Sequence, residues 1–561
     1  MPENDFPVAE GIHAAAEPLP TPVELFLNLT IVPSMSAPES EFQPSTTGIE
    51  AIYELLIVEQ SSLEGAVQES DDLQESLTMY HVTYLKSSHL RWPVLHGPTF
   101  DLVTASLPLA ASACAMGAWF QSNQSSDDKF YALRVHDLLL QRLLYNLIDA
   151  DSNFKGEAWP IEIFQATLLT LVFSLYRTDE LAISRAQHLR NALIATLREL
   201  GAFNGEIFVE HFDTYFGGTY APYRLSMRER FKRLLLLTYQ FDAYFALVHR
   251  RPPILHHQEI SVHLPSTFAL WNTYGLDIFA RRQLEEPPGR SDIQMCEMAH
   301  SAESLNGKPS QILVEDILLG LCAKLQAIWV LSGASQSETE GHPSSASQIV
   351  LFVETLDAWK RELDKINELT SPTNTPSNAT AARHLLLAYR AGDDSMSASL
   401  ERIKTLIQDG TVLYYFLKMY HYLGPVPQRA NYHQPATVSA CASRAERDAF
   451  VCGLQLLEIA EANPMVGGAS ASRAPIAPNP LIQHALTTAL EVTSAVLSCQ
   501  KCECDNGRED RQTEPASVKL QQWAEARGPL FLSGTPICVC KLGFWTGRFE
   551  KAIQDQKIMA E

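Results

Sequence analysis

YLKSSHLRWPVLHGPTFDLVTASLPLAASACAMG, residues 84–117, joins a short polar segment to a long uncharged run. Between them lies Pro93-Val94-Leu95-His96-Gly97-Pro98-Thr99-Phe100, where two prolines fix φ and stiffen a turn. Beyond the turn, Leu102–Phe120 carries no charge, is rich in Ala and Ser, contains Pro108 and follows Asp101. A bilayer span wants about 20 strongly apolar residues. This run falls short and is read as a helix buried inside a water-soluble fold. His96 sits in the turn, where capping a helix or bonding a backbone carbonyl suits a histidine better than binding a ligand.

Helical periodicity continues on both sides. From Gly48, the residues Ile49, Ile52, Tyr53, Leu56 and Leu63 recur at roughly three- and four-residue spacing. Downstream, the spacing predicts helices over Phe130–Ile148, Pro160–Tyr176, Leu181–Leu200 and Arg228–Val248. Pro160 suits a first helical turn, Gly201 suits a C-terminal cap, and Pro252-Pro253 stops the last of the four. Further helices are predicted over Ile312–Leu331, Gln348–Leu369, Met396–Tyr422, Ala436–Glu461 and Leu481–Cys499. Leu77–Leu85 is short enough to be extended, but no alternation is sustained anywhere. The expected fold is all-α: an irregular multi-helix array. No repeat of fixed period supports a solenoid.

The 561 residues are 46% hydrophobic and 19% charged, with a formal net charge of −22. That length is ample to bury a large core. Fifteen acids and no Lys or Arg precede Lys86, so most of the net charge sits there. Residues 1–47, also rich in Pro, Ser and Thr, are expected to be a disordered acidic leader. Its mixing of acids with apolar residues, as in Val23-Glu24-Leu25-Phe26-Leu27, is the composition of many activation segments. An acidic balance argues against a phosphate-binding surface over the whole molecule, since such affinity comes from Lys and Arg. Linker composition divides the rest: 48–282, a linker at 283–310 around Pro287-Pro288-Gly289, and a helical half at 311–561. Flexible loops are expected at 333–347, 370–381, 463–479 and 505–517. Ten cysteines do not suggest a disulfide-stapled module, and MPENDFPVAEG is no secretory signal, so a reducing interior is expected.

The turn and the helix end Cys114-Ala115-Met116-Gly117 resemble a hallmark of the fungal-specific transcription factor domain, the middle-homology or xylanolytic-activator regulatory region. Other matches keep that family's order. Trp159 precedes a helix with Phe164-Gln165-Ala166 at its centre, and Leu197-Arg198-Glu199-Leu200-Gly201 is similar to the family's R-x-L-G helix end. Arg228-Glu229-Arg230-Phe231-Lys232-Arg233, Asp242, Pro252-Pro253, Leu264-Pro265 and Trp271 look like its central block. Trp523, Gly534-Thr535-Pro536-Ile537-Cys538 and Trp545-Thr546-Gly547-Arg548-Phe549 resemble the closure of the finger-bearing branch. The charged run at 228–233 is expected to be a solvated or salt-bridged face, with Glu229 and Arg233 pairing at i,i+4. Asp242, within an apolar helix, needs a partner. Arg250 and Arg251 are the nearest basic candidates.

Members of that family carry a zinc module that contacts DNA, and here the first cysteine is Cys114. The DNA reader is therefore expected to be missing from this chain or separate from it. Cys499, Cys502, Cys538 and Cys540 supply four thiols, but their spacing is not that of a binuclear cluster, and reduced thiols are the simpler reading. No metal ligand, catalytic residue or cofactor site is assigned. Asp71-Asp72-Leu73-Gln74-Glu75 superficially resembles a Mg²⁺-diphosphate motif, but no second motif follows and the surrounding leader is acidic. His256-His257 point apart on a helix. Neither G-x-S-x-G, G-x-x-x-x-G-K-[ST] nor H-E-x-x-H occurs.

The resemblance implies a nuclear regulator of RNA polymerase II-dependent genes, of a metabolic or secondary-metabolite pathway. Its partners would be transcription machinery or co-regulators, with no membrane involved, and homodimerisation is compatible with it. A metal-dependent all-α enzyme and a scaffold outside transcription remain as alternatives.

Overall fold

A computed structural model describes residues 70–121, 126–149, 156–300, 312–337, 344–371, 379–391, 396–424, 442–462, 477–499, 516–526, 530–532 and 535–560. The acidic leader lies outside the described residues. So do the whole of 301–311, 372–378, 463–476 and 501–515.

The first helices are α1 (Ser70–Ser87), α2 (Leu107–Trp119), α3 (Ser126–Asp149), α4 (Ile161–Ser174), α5 (Glu180–Glu199), α6 (Gly205–Phe216) and α7 (Ala221–Val248). Short pieces α8 (Phe268–Trp271), α9 (Leu276–Gln283) and α10 (Met295–His300) follow. Then come α11 (Val314–Ser337), α12 (Ser344–Leu369), α13 (Ala379–Ala388), α14 (Met396–Leu423), α15 (Arg444–Ala462), α16 (Ile482–Ser498), α17 (Ala516–Ala526) and α18 (Leu542–Ala560). The one sheet among the described residues is an antiparallel ladder of β1 (Phe531–Leu532) and β2 (Thr535–Pro536), with Phe531 opposite Pro536. The all-α expectation holds.

Local chemistry sets the ends. The Asp179 carboxylate accepts from Leu181 N at 3.2 Å and Ala182 N at 2.9 Å, capping α5. At the other end Gly201 takes φ +68°, Gly201 N donates to Arg198 O, and Ala202 N donates to Leu197 O at 2.9 Å. That pair of bonds is a Schellman closure, and only glycine adopts its left-handed position without strain. Helix α7 begins at Ala221, seven residues before the sequence expectation, because Pro222 sits harmlessly in its first turn.

Two helices are buried all round. In α2, Ala110, Ala113, Cys114 and Gly117 recur at three- and four-residue spacing and are fully buried. This small-residue stripe lets α1 approach closely, and Cys114 Sγ reaches Leu77 O at 3.7 Å. Leu77, Tyr80 and Tyr84 form the matching stripe on α1, so the stretch left open as extended is helical. Helix α4 is enclosed by α2, α3, α5 and α7. No helix of the described residues is long and apolar enough to cross a membrane.

The later helices pack as a second group, with α14 against α11, α12 and α15, and α16 between α15 and α18. Helix α7 meets α11 and joins the groups. The stretch 283–310, expected as a linker, carries α10 and the buried Arg290. Near Pro287-Pro288-Gly289, the ion pair of Arg290 with Asp316 ties the described part of this stretch to α11. Likewise 379–381, expected in a loop, opens α13, and 516–517 opens α17.

Candidate functional site

The turn at 88–100 is bonded to several helices. Pro93 and Pro98 stiffen it, and side chains of α4 and α14 hold it. His96 Nε2 lies 2.8 Å from Trp271 O, and its Nδ1 lies 2.7 Å from Thr99 Oγ1. A carbonyl only accepts, so Nε2 donates and Nδ1 accepts from the Thr99 hydroxyl. The expectation of a carbonyl-bound structural histidine is met. Gln165 on α4 donates to Val94 O at 2.6 Å and accepts from Arg230 on α7 at 2.8 Å. Arg402 on α14 donates to His89 O at 3.1 Å. Arg91 Nε donates to Asp409 Oδ2 on α14 at 2.5 Å, and its Nη1 donates to Ala477 O. Asn479 closes the set, donating to Asp409 Oδ1 at 2.8 Å.

Beside the turn, α7 carries an ionic array that is buried, not solvated. Glu229, Lys232 and Arg233 are each under a tenth exposed. Glu229 meets Lys232 at 3.2 Å and accepts from Ser266 N at 2.6 Å and Ser266 Oγ at 2.8 Å. Burial pushes the Glu229 carboxyl up, but Lys232, Arg233 and the Ser266 donors outweigh it and hold it below the usual carboxylate range. Lys232 donates to Leu264 O at 3.2 Å. Arg233 donates to Ser266 O at 2.7 Å and lies 4.4 Å from the Trp271 ring centroid. Arg290 grips Asp316 bidentately at 2.7 and 2.9 Å and donates to Pro265 O. The surface i,i+4 pairing expected for Glu229 and Arg233 is therefore corrected. The run faces inward, where Glu229, Lys232 and Arg233 bond the amides and carbonyls of residues 264–267.

Asp242 is also buried, but its partner is neither Arg250 nor Arg251. Arg190 on α5 donates to Asp242 Oδ1 at 2.6 Å, while Ile254 N and Leu255 N each donate to Oδ2 at 3.0 Å. The sequence held a signal for this. Arg190 lies beside Ala186, Leu189 and Leu193 on the buried face of α5, a place where an arginine demands a buried acid.

The remaining sequence candidates do not come together. Cys538 is buried, Cys499 and Cys540 are exposed, and Cys502 lies outside the described residues. Asp71 and Asp72 fall on α1, with side chains outside the described residues. His256 contacts Gln326, whereas His257 has its own surroundings beside Lys324 and His300. Among the described residues no three His, Cys, Asp or Glu side chains converge as a metal site. What the geometry offers is a densely hydrogen-bonded hub that fixes the relative placement of helix surfaces.

Two buried histidines, His96 in the turn and His136 on α3, make the fold acid-sensitive. Burial, then Arg230, lowers His96 to about 4, and burial, then Arg177, lowers His136 to about 3. An unfolded histidine titrates near 6.5. Between about pH 6.5 and 4 the unfolded chain therefore binds more protons than the folded one. The stability from these two neutral imidazoles is complete above about pH 6.5 and lost as pH falls, at up to about 1.4 kcal/mol per pH unit for each. The urea midpoint at pH 5 is expected well below that at pH 7. Equal midpoints would show that neither imidazole is held neutral.

Comparison with known proteins adds the following. The model of the fungal specific transcription factor domain matches residues 82–361. The protein named "Zinc finger protein zas1" of Schizosaccharomyces pombe is 25% identical over 221 residues, covering 38% of this chain and 23% of that protein. The match thus spans under a quarter of that relative's length. No solved structure matches.

Proposed function

This chain carries the fungal specific transcription factor domain over residues 82–361 and so belongs to that family of transcription regulators, and from that premise we propose that it acts in the nucleus as the regulatory part of a polymerase II transcription factor. It works by presenting helix surfaces to co-regulators or to the transcription machinery, and it makes or breaks no covalent bond. The genes it serves belong to a metabolic or secondary-metabolite pathway. DNA is read by a zinc module that is not formed by the first 113 residues, which hold no cysteine. The relative's name, a zinc finger protein, supports that division of labour. The acidic leader is the recruiting segment.

The observation that carries this reading is where the domain's signature residues lie. His96, Glu229, Arg233, Asp242 and Trp271 are all buried and spent on holding the array together. Such residues build a platform, and its outer faces are left for contact. The test is to tether residues 1–561 to an unrelated DNA-binding module beside a reporter gene. A change in transcription of severalfold, up or down, is expected. An unaltered reporter with the fusion present in the nucleus would refute the proposal.

A further inference from the structure

The turn that follows α4 and the turn that precedes α16 enclose a cavity of about 20 Å³, the floor of a cleft open to solvent. A water needs about 10–15 Å³, so the floor admits one compact group, and anything larger extends into the mouth. Arg177, Gln483, His484 and Gln556 give the lining its polar groups.

Gln556, on α18, lines this cavity and is 9% exposed, yet its carboxamide has no hydrogen-bond partner among the described residues. The first turn of α16 borders the same space. Ile482 N donates to Asn479 O at 3.2 Å, but the Gln483 and His484 amides have no acceptor among the described residues. Helix α16 runs 17 residues, so the positive end of its dipole adds to those open N–H groups. Arg177 is 9% exposed. Its Nη1 lies 3.0 Å from His136 Nδ1 and donates to Asp137 Oδ1 at 3.1 Å, and its Nη2 donates to Asp179 Oδ2 at 3.2 Å. These bonds use three of the five N–H donors of a guanidinium. Both carboxylates are about half exposed, so water screens their hold on its charge. Arg250 brings a second cation near His484.

We propose that this cavity binds a phosphate group, as the free ion or as the ester end of a small molecule. The α16 amides, the Gln556 carboxamide and Arg177 donate to its oxygens, a donor set suited to an oxyanion. The oxygens that reach the floor are enclosed, and the organic part of an ester lies in the open mouth. The site is independent of whether the chain acts in transcription.

The test uses the full chain with inorganic phosphate and glycerol 3-phosphate as probes and chloride as the ionic control. At roughly tenfold over the dissociation constant, one or both phosphates should raise Tm by about 2 °C, with chloride inert at equal ionic strength. The larger response of the two identifies the source. Gln556→Glu keeps the side chain's shape and sets a carboxylate in the cavity, so it should fold and lose the response. Gln483→Glu does so from a half-buried position and should weaken binding by about tenfold. Equilibrium dialysis against labelled phosphate should find one equivalent per chain, and none in Gln556→Glu. No shift with either phosphate, an equal shift in both variants, or an equal shift with chloride would each overturn the site. The first of these would leave only ordered water there.

Discussion

Gly117→Ala is expected to lower stability by about 3 kcal/mol or more, because overpacking against an unyielding neighbour exceeds the usual range of about 1–3 kcal/mol. The added methyl would stand 1.8 Å from Tyr80 O and 2.5 Å from Tyr80 C. These are backbone atoms of α1, so relief requires two helices to part. The parting would open a seam of Leu77, Tyr80, Tyr84, Ala110, Ala113 and Cys114, all buried. A control in the same molecule has the opposite sign. Gly543 lies in α18 with nothing within 4 Å of a built Cβ, so Gly543→Ala should gain up to about 1 kcal/mol from helix propensity. Urea unfolding followed by circular dichroism measures both. A Gly117→Ala protein as stable as the parent would mean that α1 and α2 do not approach in this way.

Asp242→Ala should be as damaging, by about 3–5 kcal/mol, the range for breaking one partner out of a buried pair. The substitution strands Arg190, whose side chain is 1% exposed, and leaves the Ile254 and Leu255 amides without an acceptor. The double variant Arg190→Met, Asp242→Leu removes both charges and is expected to recover a large part of the loss. The double-mutant cycle separates stranded charge from lost packing. Single variants costing under about 1 kcal/mol would show that the pair is not buried as described.

Long periodic segments were legible in the sequence because burial on one side imposes the 3.6-residue repeat. Helices α3, α5, α14 and α16 lie within a few residues of their expected bounds. Segments whose pattern conflicts with composition were harder. Helix α18 contains Gly543 and Gly547, which lower helical propensity and hid it. Helix α1 read ambiguously because its apolar stripe becomes a core face only once the small residues of α2 meet it. At the candidate site, His96 could be assigned a carbonyl from general histidine chemistry, but not which carbonyl. Asp242 advertised a need for a cation, and nearness in sequence suggested the wrong ones. The true partner lies 52 residues earlier, on another helix that folding lays alongside. The charged run at 228–233 misled for the same reason, since its acceptors are backbone atoms some thirty residues away.

Arg91 lies within residues 82–361, whereas Asp409 and Ala477, which receive its hydrogen bonds, lie beyond them. A fragment ending at 361 would keep Arg91 and discard the Asp409 carboxylate and Ala477 carbonyl that receive its hydrogen bonds. The border drawn by family likeness is therefore not a cleavage point. The two hundred residues that follow it are an architectural companion, and shortened versions meant for biochemistry should retain them.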